Sequence, residues 1–449
     1  MGRGAQLDRG GRVKVTVVGG GLAGLSAAVE CAESGAAVTL LEARPRLGGA
    51  TFSIERDGLW LDNGQHVFLR CCTAYREFLA RLGVERDVVL QDRLSLPLVR
   101  PGGRVFHLRR ASLPAPLHLS RALARFPGLA ASERIRAAAA ALRLARLDLD
   151  RRDVDTRTFA DWLAEHGQTP NAIARFWNLF TLPTVNLPAA EASLTLAGTV
   201  FQIGLLSDSS AADVGYANVP LSRLHADAAA RRLERLGATV RVRARVQALD
   251  GTTVRLDGET LTADAVVLAV PHDDAAALLP DAGDFRRLGA SPILNLHVAY
   301  DRQVMRLPFA AGLDSPVQWV FDRTASSGLE RGQLLAVSLS SADAYAGRSV
   351  EELRAEFVPA LAELFPATAE ARVERFFVTR EQRATFRQAP GTRALRPPAR
   401  TSLRGVYLAG AWTDTGWPAT MEGAVLSGLA AARAALEDAA APVAHEVAA

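Results

Sequence analysis

A glycine-rich turn near the N-terminus constrains this fold more than any other feature of the sequence. Gly19, Gly21 and Gly24 have the spacing G-x-G-x-x-G, directly after the apolar run Val13–Val18 and directly before a helical pattern. In this arrangement the first glycine makes a tight turn, the second lets backbone approach a pyrophosphate, and the third lets helix and strand pack closely. The free N–H groups at the helix start then favour phosphate. The turn predicts a βαβ unit that binds a dinucleotide.

The second strand of this unit ends in a carboxylate. Glu42 lies 18 residues after Gly24, where the run that follows the helix ends. A carboxylate at this point accepts hydrogen bonds from ribose hydroxyls and repels a 2′-phosphate. We therefore expect FAD or NAD, rather than NADP, as the bound dinucleotide.

Composition excludes several classes of protein. Of the 449 residues, 49% are hydrophobic and the net charge is +4, which excludes a disordered chain and gives no sign of a nucleic-acid surface. Cys31, Cys71 and Cys72 lack metal-ligand spacing, so we expect reduced thiols and no metal site. The N-terminus lacks the layout of a signal peptide, and no apolar run reaches the ~20 residues that cross a bilayer. These features favour a cytoplasmic location.

Arginine is concentrated between residues 109 and 152, where ten arginines accompany three acidic residues. The segment contains a helical pattern over 132–149, with Ser132 as the expected N-cap. One interpretation is a solvated basic face. The other is a surface that contacts anionic lipid headgroups, which would place the protein peripherally on the inner face of the plasma membrane.

Two motifs at opposite ends of the chain resemble the flavin amine oxidase and carotenoid desaturase superfamily. Residues 42–49 read E-A-R-P-R-L-G-G, and residues 406–410, 417–424 and 427–428 read V-Y-L-A-G, W-P-A-T-M-E-G-A and S-G. The resemblance implies FAD as cofactor, and a last helix whose N-terminal dipole stabilises negative charge on the reduced flavin. The cofactor contacts that it implies are Gly19, Gly21, Leu22, Ala23, Gly24, Glu42, Ala43, Arg44, Arg46, Gly48, Gly49, Ala50, Thr51, Val246, Gly410, Ala411, Trp417, Thr420, Met421 and Glu422.

The sequence departs from this superfamily at two of those positions. Many relatives have arginine after the paired glycines, where this chain has Ala50, and aspartate after the closing glycine, where it has Ala411. Asp414, three residues further on, is a candidate for the missing contact to the ribityl hydroxyls; an ordinary loop acid is the other interpretation.

We predict an α/β protein with two domains. Strand patterns over 239–249, 265–270 and 405–410 are expected to join the first sheet, together with strands around the Asp-Gly turns at 250–251 and 257–258. Helical patterns over 221–236 and 421–436 are expected in the same domain. The first domain is a Rossmann-like FAD-binding domain, a doubly wound and mostly parallel sheet, from residues 12–72, 221–275 and 390–438. The second is an α+β substrate domain from residues 73–220 and 276–389. Residues 1–11 and 439–449 are expected to be disordered tails.

A closer resemblance, over nearly the whole length, is to the hydroxysqualene dehydroxylase family, the squalene-associated FAD-dependent desaturases of hopanoid biosynthesis. It is carried by G-G-A-T-F-S at 48–53, D-N-G-Q-H-V-F at 62–68, R-F-W-N at 175–178, N-L-H at 295–297 and A-G-A-W-T-D-T-G-W-P-A-T-M-E-G at 409–423. The resemblance implies a C30 isoprenoid alcohol as substrate and squalene as product. The electron donor is external, NAD(P)H or a ferredoxin, and the sequence does not identify it.

Replacing an allylic hydroxyl by hydrogen requires a proton donor, a hydride from reduced flavin and a dry apolar cavity. His66 is the first candidate donor because histidine titrates near neutral pH; a structural hydrogen-bonding role is the other interpretation. The full set of candidates for donating the proton, orienting the donor or binding the hydroxyl is His66, Asp62, Gln65 and Asp414. The expected substrate-pocket residues are Phe176, Trp177, Trp412, Trp417 and His297.

Three alternatives remain open at this level. A carotenoid or phytoene-type desaturase would use the same fold but oxidise an isoprenoid hydrocarbon. An amine oxidase is disfavoured, because these enzymes normally have a lysine near the flavin and the single lysine here, Lys14, precedes the first strand. A flavin-containing isoprenoid carrier or scaffold is the non-enzymatic alternative, disfavoured by cofactor motifs at both ends.

Overall fold

The predicted βαβ unit opens the fold in a computed structural model that describes residues 11–440. Strand Lys14–Val18 is followed by helix Leu22–Glu33 and by strand Ala37–Leu41, which pairs with the first strand in parallel. The helix is buried along most of its length because another helix, Met421–Ala440, covers it. The predicted tails at 1–10 and 441–449 lie outside the described residues, whereas 439 and 440 belong to the last helix.

A five-stranded parallel sheet forms the centre of the first domain and confirms the predicted fold class. Its strands, in spatial order, are Thr239–Arg241, Ala37–Leu41, Lys14–Val18, Ala265–Leu268 and Val406–Leu408. Chain segments far apart in sequence therefore lie side by side, as expected for a discontinuous domain. All five strands come from the three segments that the sequence assigns to this domain; the exact domain boundaries stay a prediction.

The strands around the two Asp-Gly turns do not join this sheet, and that prediction was wrong. Ala248–Asp250, Thr253–Arg255 and Thr260–Thr262 form a separate antiparallel three-stranded sheet. Tight turns connect neighbouring strands antiparallel, whereas a parallel sheet requires long crossover connections. The meander pairs with itself rather than with the parallel sheet.

A seven-stranded mixed sheet forms the centre of the second domain. Its strands, in spatial order, are Val373–Thr385, Ser291–Tyr300, Gln333–Ser340, Trp319–Asp322, Phe309–Gly312, Ser95–Arg100 and Arg104–Arg109. Helix Val350–Leu364 packs its apolar face, including Leu353 and Phe357, on this sheet. This arrangement confirms the predicted α+β character of the second domain.

Two small sheets connect the domains. One is the hairpin Ser53–Arg56 with Leu59–Asp62. In the other, strand Val214–Ala217 lies between Val67–Leu69 and Val88–Leu90. Since Val67–Leu69 belongs to the predicted cofactor domain and its partner to the predicted substrate domain, the segment after Asp62 runs along the junction of the two.

The remaining helices are distributed over both domains. The α-helices are Thr73–Leu82, Ser120–Ala124, Ala131–Leu144, Arg152–Asp155, Phe159–Glu165, Pro170–Ala172, Asn178–Val185, Leu194–Thr199, Ala228–Arg235, His272–Leu278 and Thr324–Ser327. The π-helical stretches are Ile173–Trp177, Val200–Leu206 and Ser222–Asp227, and the 3-10 turns are Glu85–Asp87, Leu117–Leu119, Pro280–Ala282, Phe285–Leu288, Ala342–Tyr345, Pro366–Glu370 and Arg393–Leu395. Between residues 11 and 440 no helix is both long and apolar enough to span a bilayer.

Ser132 is not the N-cap that the sequence predicts. The helix begins at Ala131 and ends at Leu144, so Ser132 lies inside its first turn. The free backbone N–H of Ala130 instead donates to Glu133 Oε2 at 2.8 Å. A carboxylate three residues into the helix therefore satisfies this donor.

Candidate functional site

The opening glycine turn has the geometry of a phosphate cradle. Gly19 has a φ of +107°, and a Cβ there would lie 2.4 Å from the Ala269 carbonyl oxygen. A Cβ on Gly24 would lie 1.8 Å from the Gly19 carbonyl oxygen, so the helix and the turn touch. At Gly21, by contrast, the nearest atom to an added Cβ is the Gly49 Cα at 3.6 Å, which leaves this backbone open. Gly19 and Gly24 thus have the turn and packing geometry that the spacing predicts, and Gly21 leaves the space that a pyrophosphate would need.

The paired glycines lie against this turn. Gly48 and Gly49 have φ values of +100° and +56°, and a Cβ on Gly49 would lie 2.7 Å from the Gly21 Cα. The Thr51 hydroxyl donates to the Gly48 carbonyl at 2.9 Å and fixes the bend. Arg46 lies 3.2 Å over the ring of Phe52, and burial lowers its pKa, with Arg44 as the next cause. The two glycine segments therefore touch each other, and Arg46 Nη1 lies 3.4 Å from the Gly49 carbonyl oxygen beside them.

Glu42 is buried beside the turn, where both of its carboxylate oxygens accept backbone hydrogen bonds. The donors are Gly20 N–H at 2.8 Å and Arg44 N–H at 2.7 Å. Residues 243–246 run alongside, since Ala244 N–H donates to the Glu42 carbonyl at 2.9 Å. Val246, the predicted adenine neighbour, is partly buried at the end of this stretch.

The closing motif reaches the same edge of the parallel sheet. Gly410 follows the strand Val406–Leu408, and its N–H donates to Ser427 Oγ at 2.8 Å. Gly428 fixes the distance between the last and first helices, since a Cβ there would lie 2.1 Å from the Ala23 carbonyl oxygen. Ligands of parallel α/β sheets bind outside the carboxyl ends of the strands. The two motifs that the sequence places at opposite ends of the chain therefore meet at one site.

Comparison with known proteins agrees with this geometry. The sequence pattern of the family described as flavin containing amine oxidoreductase matches residues 22–436. The chain belongs to this family. FAD is accordingly its cofactor, and the flavoenzyme is an oxidoreductase.

Individual relatives place the flavoenzyme in the group of hydroxysqualene dehydroxylases and carotenoid desaturases. A hydroxysqualene dehydroxylase of Rhodopseudomonas palustris is 30% identical, over 93% of this chain and 97% of that protein. A zeta-carotene desaturase of Zea mays is 27% identical, over 94% of this chain and 83% of that protein. A solved putrescine oxidase double mutant shares the fold, with a TM-score of 0.71, 21% identity, and coverage of 95% of this chain and 99% of that one.

The described residues fit FAD. The open backbone at Gly21 leaves room for a pyrophosphate, Glu42 directly follows the second strand, where folds of this kind bind ribose hydroxyls, and the last helix begins at Met421. Ala411 contributes no side-chain contact, and its carbonyl accepts a hydrogen bond from Arg396 at 3.2 Å. Asp414 is exposed on the same loop and accepts the Gly416 N–H at 3.3 Å.

The side chain of Glu422 caps a neighbouring helix rather than contacting the cofactor. Its carboxylate accepts the N–H groups of Ala74 at 3.0 Å and Tyr75 at 2.7 Å, and thereby caps helix Thr73–Leu82. Burial is the main cause that raises the pKa of Glu422. Thr420 lies at the start of the last helix, where its Oγ1 accepts the Gly423 N–H at 3.1 Å. Because its carboxylate is engaged in this cap, Glu422 can offer a ligand at the start of the last helix only its backbone groups.

A buried ion pair organises the segment that follows the paired glycines. Asp62 accepts hydrogen bonds from Arg323 Nη2 at 2.7 Å, Ser53 Oγ at 2.6 Å and Leu221 N–H at 3.0 Å. Arg323 also donates to the carbonyl of Ala217 at 2.6 Å. Sequence reasoning missed Arg323, because 52 basic residues, nearly all arginine, give no signal for one of them. The only clue to a cation here was Asp62 itself, because a carboxylate that becomes buried requires a charged partner.

Asparagines connect this segment to the cofactor cleft and to the second sheet. Asn63 Nδ2 donates to the Ala50 carbonyl at 2.8 Å, directly after the paired glycines. Asn295 Nδ2 donates to the Asn63 carbonyl at 2.9 Å, and Thr379 Oγ1 donates to the same oxygen at 3.1 Å. His297, on the same strand as Asn295, is buried with its Nε2 3.4 Å from Thr379 Oγ1.

His66 lies beside this ion pair, but not in the protonation state that the sequence suggests. Burial lowers its pKa to about 4, against an opposing effect of Asp62 and with a further lowering by Arg323. Burial likewise lowers the pKa of His297 to about 4. Both imidazoles are therefore neutral at pH 7. A pKa near neutrality, the reason for choosing His66, does not hold in the folded chain.

The aromatic candidates fall into two groups. Trp177 is completely buried, donates to Gln168 Oε1 at 2.9 Å and packs against Phe201 at 5.1 Å between ring centroids, so it is a packing residue in this structure. Phe176 is partly buried beside it. Trp412 and Trp417 lie in the closing loop, where Trp412 Nε1 donates to the Val270 carbonyl at 3.0 Å and Trp417 keeps part of its surface exposed.

Proposed function

We propose that this flavoenzyme removes the hydroxyl group of hydroxysqualene and releases squalene. The observation that carries the proposal is the buried polar group of Asp62, Arg323 and His66, which Asn63 connects to the paired glycines of the cofactor cleft. A hydrocarbon substrate has no atom that can form a hydrogen bond with these groups, whereas an alcohol has its hydroxyl. The similarity to the Rhodopseudomonas protein supports the same substrate.

The proposed reaction balances with one hydride and one proton. The C–O bond of the allylic alcohol breaks, the oxygen takes up a proton and leaves as water, and the carbon receives the hydride. Bound FAD, in its reduced form, supplies that hydride. His66 and Gln65 would contact the hydroxyl; His66, neutral at rest, would take up a proton from solvent and pass it to the leaving oxygen, while Asp62 positions Arg323. Phe176, Trp412, Trp417 and His297 are the proposed pocket residues, and the electron donor would be NAD(P)H or a ferredoxin.

Desaturation of a carotenoid-type hydrocarbon is the second candidate. The similarity to the Zea mays zeta-carotene desaturase favours it, because that relative matches 94% of this chain. The two reactions use flavin in opposite directions, since desaturation oxidises the substrate and dehydroxylation reduces it. The direction of electron flow therefore separates them.

A pair of anaerobic incubations tests the proposal. The photoreduced holoenzyme is expected to convert hydroxysqualene to squalene, with one flavin reoxidised for each product molecule. The oxidised holoenzyme is expected to leave a phytoene-like polyene unchanged, and mass spectrometry of the extracts identifies the products. Desaturated polyene in the second tube together with unreacted hydroxysqualene in the first would reject dehydroxylation in favour of desaturation.

We further propose that the segment 109–152 contacts the cytoplasmic, anionic face of the membrane, where such a substrate dissolves. Ile135 and Leu142 on helix Ala131–Leu144 are 71% and 45% exposed. Their spacing of seven residues places them on one helix face, next to the exposed Arg136 and Arg143. Apolar side chains flanked by arginine are typical of helices that lie in the membrane interface.

Neutralising arginines of this segment is expected to weaken vesicle binding. Each basic residue near an anionic surface contributes about 1 kcal/mol, so removing three should weaken binding on the order of a hundredfold. The variant is Arg136→Gln, Arg143→Gln and Arg146→Gln. The control with the same change in charge is Arg231→Gln, Arg235→Gln and Arg404→Gln, all exposed elsewhere. Flotation with phosphatidylglycerol vesicles measures binding, and equal flotation of the two variants would reject this surface.

A further inference from the structure

A small cavity lies between the polar segment 62–67 and the second domain. Its lining residues are Asp62, Gln65, His66, Val67, Tyr216, Ala217, Leu221, Phe321 and Arg323. The space open to the centre of a water molecule is about 10 Å³. One water or one hydroxyl group needs roughly 10–15 Å³ by this measure, so the cavity has the size of a single oxygen atom with its hydrogens.

Two buried donors on this lining have no hydrogen-bond partner anywhere in residues 11–440. They are Gln65 Nε2 and Arg323 Nε. The other nitrogens of Arg323 are used: Nη1 donates to Ala217 and Nη2 to Asp62. Leaving a buried donor unpaired costs about 1–3 kcal/mol, so a pair of them on one cavity indicates an oxygen atom that accepts from both.

We propose that this cavity is an oxygen site that holds the hydroxyl of the substrate and then the water that it becomes. The inference rests on the proposed function, because it needs an alcohol as substrate. Gln65 and Arg323 donate to the oxygen, and the neutral His66 has both a donor and an acceptor nitrogen to offer it. Asp62 does not touch the oxygen; it holds Arg323 in place through its carboxylate. The remaining wall, Val67, Leu221 and Phe321, is apolar, and the carbon chain of the substrate would lie outside the cavity on this side.

The site predicts discrimination between an alcohol and the matching hydrocarbon. Oxidised holoenzyme, which cannot deliver hydride, is titrated with hydroxysqualene and with squalene, and the change in flavin absorbance measures each affinity. We expect the wild type to bind hydroxysqualene at least tenfold more tightly than squalene. Gln65→Met, which keeps the side-chain length but removes the donor, is expected to reduce that ratio about tenfold while changing squalene affinity less than threefold.

Val67→Ala is the matched control, because it alters the same cavity wall without changing a polar atom. It is expected to keep the wild-type ratio. Equal binding of the two compounds by the wild type, or an unchanged ratio in Gln65→Met, overturns the oxygen site but leaves dehydroxylation standing if squalene is formed in the anaerobic assay. Absence of squalene formation in that assay overturns the proposed function, and the oxygen site with it.

Discussion

Gly21→Ala should give a folded protein that no longer retains FAD. The added methyl group has no packing conflict, since its nearest neighbour, the Gly49 Cα, is 3.6 Å away, and the φ of −79° suits alanine. It would, however, occupy the cleft where backbone must approach a pyrophosphate. We expect the affinity for FAD to fall at least a hundredfold, about 3 kcal/mol, with an unchanged far-ultraviolet circular dichroism spectrum. Fluorescence titration of the apoprotein with FAD measures the loss.

Gly24→Ala is the contrasting variant, which separates a loss of stability from a loss of FAD affinity. A methyl group there would lie 1.8 Å from the Gly19 carbonyl oxygen, a backbone atom that cannot move away cheaply. This variant is expected to lower the melting temperature of the apoprotein, whereas Gly21→Ala is not. If Gly21→Ala binds FAD with wild-type affinity, the cleft between Gly21 and Gly49 is not the pyrophosphate site.

The second large effect is expected from Arg323→Met, which leaves the carboxylate of Asp62 buried without its cation. Removing one member of a buried ion pair typically costs about 3–5 kcal/mol, because the remaining charge is uncompensated. Arg323 and Asp62 are about 10% and 6% exposed at their side chains, so solvent cannot replace the lost partner. Thermal unfolding of the apoprotein, followed by circular dichroism, measures the change.

Asp62→Asn in the Arg323→Met background should recover more than half of the lost stability. The asparagine oxygen can still accept from Ser53 and Leu221, but it carries no charge. Additive effects of the two substitutions would mean that the ion pair contributes nothing beyond each residue alone. The pair would then be a by-product of packing, and positioning of Arg323 by Asp62 would be abandoned.

The parts of the site that depend on backbone geometry were predictable from sequence. Gly19, Gly24 and Gly49 have such narrow conformational requirements that their spacing alone indicates the cleft. The closing motif likewise predicted the strand after residue 405 and the helix after Met421. Glu42 was predictable because its place at the end of the second strand follows from the length of the βαβ unit.

The parts that depend on tertiary contacts were not predictable. Arg323 comes from a strand end more than 250 residues away from Asp62, and no local pattern marks it. His66 has an altered pKa because the second domain buries it, which a sequence motif cannot express. The separate three-stranded sheet was missed because strand patterns do not show which sheet a strand joins; only the tight Asp-Gly turns, read as antiparallel connections, could have indicated it.

The order of the strands has a consequence for how this protein matures during translation. Strand Val406–Leu408 closes the edge of the sheet that residues 14–41 begin, and helix Met421–Ala440 covers helix Leu22–Glu33. At 5–20 residues per second, the ribosome needs roughly 20–80 s to make the intervening chain. Throughout that interval the earliest apolar helix lacks the cover of the last one, so a holding chaperone would have a target at the N-terminal end of the nascent chain.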